Sequence, residues 1–174
     1  MKATEVLADA YARIREVVHE AVEGLSAEEL NARIDPQANS IAWLVWHLTR
    51  VQDDHMADAS GLEQVWTAQE WFTRFALPLP AEATGYGHTA KQVGTVLVES
   101  DELLLGYFDA VHERTTDFVR GLSAADLDRV VDTGWDPPVT LGVRLVSIVS
   151  DDLQHAGQAA YVRGVLQRGQ HRRG

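Results

Sequence analysis

Apolar positions recur with helical period over four long stretches of the chain, and turn-forming residues separate them. The first carries Val6, Leu7, Ala10, Ile14, Val17, Val18, Ala21 and Val22, and stops at Gly24. The second opens at the start signal Asn39-Ser40 and runs through Ile41, Leu44, Val45, Leu48, Val51 and Met56 to about Ala59. A third is predicted from about Ala90 to Gly121, with Val93, Val96, Leu97, Leu103, Leu104, Tyr107, Phe108, Val111 and Phe118 on its inner side. The fourth follows Trp135-Asp136-Pro137-Pro138, is capped by Thr140, and carries Leu141, Leu145, Ile148, Val149, Leu153, Ala156 and Val162.

The first and third helices end in nearly the same words, Gly24-Leu25-Ser26-Ala27-Glu28-Glu29-Leu30 and Gly121-Leu122-Ser123-Ala124-Ala125-Asp126-Leu127. Each has the form of a capping box, so each predicts a short helical turn before the next long helix. The echo fits a duplicated helical hairpin and equally a good capping sequence used twice. Between the two halves, residues 60–88 lose the helical period apart from a short helix around Trp66 to Phe75. Their aromatic residues need burial, which marks a crossover and not a linker. The pattern therefore predicts an all-α fold, a four-helix bundle with one long crossover between helices two and three. One domain is expected over residues 1–168, with a flexible basic tail over 169–174.

Composition narrows the functions such a bundle can carry. The chain has 174 residues, enough for one well-filled core. Its net charge of -11 argues against nucleic-acid binding, which needs cations along one face. It contains no cysteine, so a disulfide framework, a cysteine nucleophile and a thiolate metal site are all excluded. No apolar run has membrane-spanning length, and the amino terminus reads as an amphipathic helix; no membrane partner and a cytoplasmic location are expected. Exposed apolar helix faces are compatible with a homodimer.

The candidate chemistry sits in Ser150-Asp151-Asp152-Leu153-Gln154-His155-Ala156-Gly157-Gln158, a polar interruption of the fourth helix. Asp151 and His155 are four apart and so share a helix face, which is chelating spacing for a divalent ion. His47, two turns into helix two, is the candidate third ligand, at a similar depth if helices two and four start at the same end. A buried carboxylate needs a partner or a metal, and Arg50 or Arg144 is the rival to metal for Asp151 or Asp54. Asp54, Gln158 and Trp135 are weaker candidates for contact with a substrate. His55 reads as solvent-facing, and Tyr86 and His88 sit in connections near the mouth.

The segments Asn39-Ser40-Ile41-Ala42-Trp43-Leu44-Val45-Trp46-His47-Leu48 and Asp151-Asp152-Leu153-Gln154-His155-Ala156-Gly157-Gln158-Ala159 resemble the DinB-like superfamily of metal-binding four-helix bundles. Within it the chain is similar to the mycothiol-dependent branch, the mycothiol S-transferases and the catalytic domain of mycothiol-dependent maleylpyruvate isomerase. The resemblance implies a divalent metal, zinc in the first place, on His47, Asp151 and His155, and a low-molecular-weight thiol activated there to attack an electrophilic small molecule. The family usually has histidine or glutamate where this chain has Asp151, a shorter arm. Absence of the isomerase's longer carboxy-terminal region favours the transferase. An isomerase of the maleylpyruvate type and a noncatalytic metal-binding or salt-bridged bundle remain the alternatives.

Overall fold

The four long apolar stretches fold as the four long helices of the computed structural model, which describes residues 2–171. These are α1 (Ala3–Val22), α3 (Ile41–Ser60), α7 (Asp101–Gly121) and α8 (Leu141–His171). Short helices fill the connections: α2 (Ala27–Asn31) after α1, then α4 (Val65–Ala68), α5 (Trp71–Phe75) and α6 (Ala90–Val93) in the crossover. Each of α1 and α3 packs on both α7 and α8, so α1 and α3 lie on one diagonal of the bundle. Arg15 bonds Asp109 and the Gly24 amide bonds Asp101, which sets α1 antiparallel to α7.

The helix ends follow the sequence closely. Ser40 accepts from the Trp43 amide at 3.1 Å and starts α3, and Ser26 and Glu29 close a reciprocal capping box on α2. The echoed turn differs in its second copy: Ser123 donates through its amide and hydroxyl to Asp126, but the turn Ala125–Asp128 is a 3-10 helix. A two-stranded antiparallel hairpin, β1 (Val130–Asp132) and β2 (Val139–Thr140), then leads into α8. Trp135 sits in its loop.

The third helix departs from the prediction, starting at Asp101 and not near Ala90. Gly94 closes α6, and Val96 and Val98 are buried while Leu97 between them is exposed, an alternation of period two that needs extended backbone. The side chain of Asn31 pairs with both the amide and the carbonyl of Val98, and Ser100 caps a fresh helix. At the other end of the chain, α8 reaches His171. The first residues of the basic tail are thus helical, and Arg172, Arg173 and Gly174 lie outside the described residues.

On α7, His112 stacks on Phe108 with ring centroids 6.0 Å apart. Burial, aided by the Arg15 cation, pushes its pKa down to about 4. An unfolded histidine titrates near about 6.5. Between these values the unfolded chain holds the extra proton, so stability is lost as pH falls from the unfolded value through the folded one and is level above it. After discounting for partial exposure, the loss is about 1–2 kcal/mol. His112→Gln should therefore show a flatter urea midpoint between pH 7 and pH 4.5 than wild type. Parallel pH profiles of the two proteins would refute the assignment.

Candidate metal centre

Three elements bring the site together. Helix α3 buries its entire first half, and His47 lies there between Trp43 and the core. Asp151 and His155 face it from the middle of α8. One ligand-capable atom from each of His47, Asp151 and His155 lies within 4.8 Å of the others, and no other trio of this kind occurs among the described residues. The depth match arises differently from expectation. His47 meets residues 151 and 155 while His55 meets Arg144, so α3 and α8 run antiparallel. Helix α8 is long enough to pass beyond the start of α3, which places its middle beside His47.

The imidazoles are oriented by acceptors behind them. The Thr84 carbonyl lies 2.5 Å from His47 Nδ1, and a carbonyl can only accept, so Nδ1 carries the proton. His155 Nδ1 donates to the Gln158 carboxamide oxygen at 3.0 Å. In both rings the Nε2 lone pair is left as the ligating atom, the arrangement that second-shell acceptors impose on metal-bound histidine. His155 Nε2 lies 3.6 Å from Asp151 Oδ1, while Asp151 Oδ2 is buried with no hydrogen-bond partner. Trp43 stacks on His47 at 4.5 Å and meets His155 edge-on, which holds both rings.

Electrostatics suit a cation. Burial pushes Asp151 up, but the adjacent His155, with His47 and His55, brings it below the ordinary carboxylate range. The adjacent Asp151 carboxylate raises His155, and burial lowers His47. The trio therefore sets a carboxylate beside two imidazoles, a donor set that suits a cation. The arginine alternative fails in this structure. Arg144 pairs with Asp58 and Asp132 and donates to His55, and Arg50 pairs with Asp53. Neither reaches Asp151 or Asp54. The neighbouring Asp152 is fully buried, its carboxyl oxygens have no hydrogen-bond partner, and burial, with the charge of Asp151, pushes its pKa well above the usual carboxylate range.

A cavity of about 560 Å³ opens on two of the three, His47 and Asp151, and is lined also by Asp54 and Trp135. Asp54 is tied to Gln64 at 2.7 Å, and Trp135 and Tyr86, 69% and 92% exposed, stand at the mouth. His55 corrects the sequence reading: it is half-buried and faces this cavity, accepting from Arg144. Gln158 acts behind His155 and lines a different groove. His88 accepts from Trp43 at 3.2 Å and supports the ring that stacks on His47. A cleft of similar size beside Ser26, Arg33 and Leu166 lies away from these groups.

Sequence reasoning missed the crossover's share of the site. Gly85 has φ of +93°, and a Cβ there would stand 2.7 Å from His47 Nδ1. Only glycine lets the loop approach closely enough for the Thr84 carbonyl to hold the ring. The available signal was the doublet Gly85-Tyr86-Gly87. Gly85→Ala should displace His47 and weaken metal affinity by roughly 10–100-fold while the helical circular dichroism is kept. Competition titration with a chromogenic chelator measures this, and wild-type affinity would show that the contact is slack.

A helical bundle with one long crossover, and a His-His-Asp group between facing helices that can hold a metal ion, defines a class of metal-site bundle. The profile of the DinB superfamily matches residues 10–159, and the chain belongs to that superfamily. It is also similar to a solved structure described as the conserved protein of locus from Enterococcus faecalis. The two share 33% identity with a TM-score of 0.87, covering 94% of this chain and 96% of the other. No match was found among curated proteins. Among the described residues, no helix is long and apolar enough to cross a membrane.

Proposed function

We propose that the protein is a metal-dependent thiol S-transferase that conjugates a low-molecular-weight thiol, mycothiol by resemblance, to an electrophilic small molecule. The observation that carries this reading is the preparation of the trio. Both imidazoles have Nδ1 engaged from behind, and the buried Asp151 Oδ2 is left without a partner beside a cavity of substrate size. These donors, nitrogen and oxygen in a cysteine-free chain, fit a borderline divalent ion such as zinc. When bound, the ion supplies a depressed thiol pKa, and hence a nucleophile the protein itself does not contain.

The remaining work falls to the chain's own side chains. Thr84 and Gln158 keep the two histidines in one tautomer, and Trp43 bars rotation of the rings. Asp54 and Ser147 offer polar contacts to the body of the thiol, while Trp135 and Tyr86 present aromatic faces to an apolar electrophile. Cobalt-substituted protein tests the reading. Addition of mycothiol should introduce a sulfur-to-metal charge-transfer band and, with a bimane-type acceptor, yield the conjugate. No band and no conjugate would overturn the proposal, and turnover of maleylpyruvate in place of conjugation would replace transfer by isomerisation.

A further inference from the structure

Two imidazoles line the cavity; His47 belongs to the trio and His55 does not. His55 is half-buried, and Arg144 Nη1 lies 2.9 Å from its Nδ1. A guanidinium can only donate, so Nδ1 accepts and the ring carries its proton on Nε2. Burial, with the Arg144 cation, lowers the pKa of His55 against the pull of Asp54, Asp151 and Asp58, which keeps the ring neutral near pH 7. Among the described residues no group accepts from Nε2, and that atom is not sealed in the interior. Arg144 is itself held by Asp58 at 3.2 Å and Asp132 at 3.1 Å. A charged donor fixed behind the ring polarises it and strengthens the N–H on the other side.

We infer that His55 Nε2 is the donor that receives the carbonyl oxygen of the electrophile, and that the electrophile is accordingly a neutral conjugated carbonyl compound. The inference rests on the thiol-transferase reading and names its second substrate. The thiolate sulfur bonds to the β-carbon, and the C=C pair shifts to give an enolate whose oxygen takes the hydrogen bond from His55. Water then returns to the α-carbon the proton that the thiol gave up, and no group leaves.

The surroundings of His55 select this class of electrophile. A carboxylate-bearing one finds the Arg144 charge already paired, and meets Asp54 and Asp151 on the same walls. An alkyl halide puts no charge on oxygen and leaves the donor unused. A carbonyl oxygen enters neutral and gains charge only as the new bond forms, so the hydrogen bond is strongest in the transition state, where it accelerates the reaction. His55 also stands off from the trio: eight residues of α3 separate it from His47, about 12 Å along the axis, which leaves room for a substrate between them. The Ser147 hydroxyl, on the same lining, donates to the Val143 carbonyl and does not compete as donor.

Nitrogen-15 spectra of the histidine rings test the donor without turnover. In the full chain, with metal and without it, His55 should show a protonated Nε2 and a bare Nδ1, and the unreactive ketone 4-phenylbutan-2-one should shift the Nε2 signal. Conjugation of mycothiol is then compared for 4-phenylbut-3-en-2-one and for benzyl chloride. His55→Asn keeps an acceptor for Arg144 but has no donor at the Nε2 position. It should lower kcat/KM about 100-fold for the enone and less than about 3-fold for the halide, with circular dichroism and metal content unchanged. His55→Gln, which returns an amide N–H near that position, should recover most of the enone rate. An Nε2 signal indifferent to the ketone, equal losses on both electrophiles, or no loss on either overturns the inference and leaves S-transfer standing. Failure of the metal-loaded protein to conjugate either electrophile instead removes the transferase reading and the catalytic role of His55 with it, and the ketone-induced shift alone then decides whether His55 binds a carbonyl.

Discussion

His155→Ala is expected to reduce bound divalent metal from about one equivalent to below about a tenth, and to abolish thiol conjugation with it. The variant removes one of three ligands and leaves Asp151 without the neighbouring imidazole that keeps its carboxylate low. Its cost to the fold should be small, since His155 is half-buried and makes its hydrogen bond within α8, to Gln158. Elemental analysis of protein purified without nickel affinity, alongside circular dichroism, separates loss of the site from loss of the fold. Gln158→Ala is the graded comparison: it keeps the ligand but frees its tautomer, so affinity should fall while stoichiometry at saturating metal is retained. Conjugation at wild-type rate in His155→Ala would sink the mechanism.

Asp53→Ala is expected to lower stability by about 3–5 kcal/mol, the cost of orphaning a buried charge and its partners. Asp53 accepts from the amides of Val65 and Trp66 and from the Tyr107 hydroxyl, each at 2.8 Å, and lies 3.7 Å from Arg50. Burial pushes its carboxyl up, opposed by all four partners. Arg50, itself fully buried, continues to the carbonyls of Ala81 and Ala83, to Gln64, and over the face of Trp66 at 5.0 Å. One pair thus ties α3 and α7 to both ends of the crossover. For a chain of this length the midpoint of thermal unfolding should drop by roughly 10 °C. Because the crossover also places Thr84 against His47, metal affinity should fall as well. A change within about 1 kcal/mol would show that water replaces the carboxylate.

The helices and their caps were legible because their causes are local. Ser40, Ser26 and Thr140 act on amides three residues away, and apolar spacing selects a face before any partner is known. Where causes are distant, reading failed. Val96 and Val98 fit a helical pattern as well as an extended one, and Asn31, more than sixty residues earlier, decides for the second. His55 had no local reason to face inward; Arg144 across the bundle supplies it. The partners of Arg50 and Arg144 were likewise open, since an acidic chain offers each arginine many carboxylates.

The sequence by itself determined the all-α class, the crossover, the absence of any thiol ligand, and the shared face of Asp151 and His155, because helical period and residue chemistry suffice for these. Only tertiary structure decided that α3 and α8 run antiparallel, that His47 completes the trio, and that Asp152, next to Asp151, is fully buried. It also decided that a carbonyl from the crossover aims the His47 ring. Those outcomes depend on which elements touch, and packing of separate faces settles that, not spacing along any one of them.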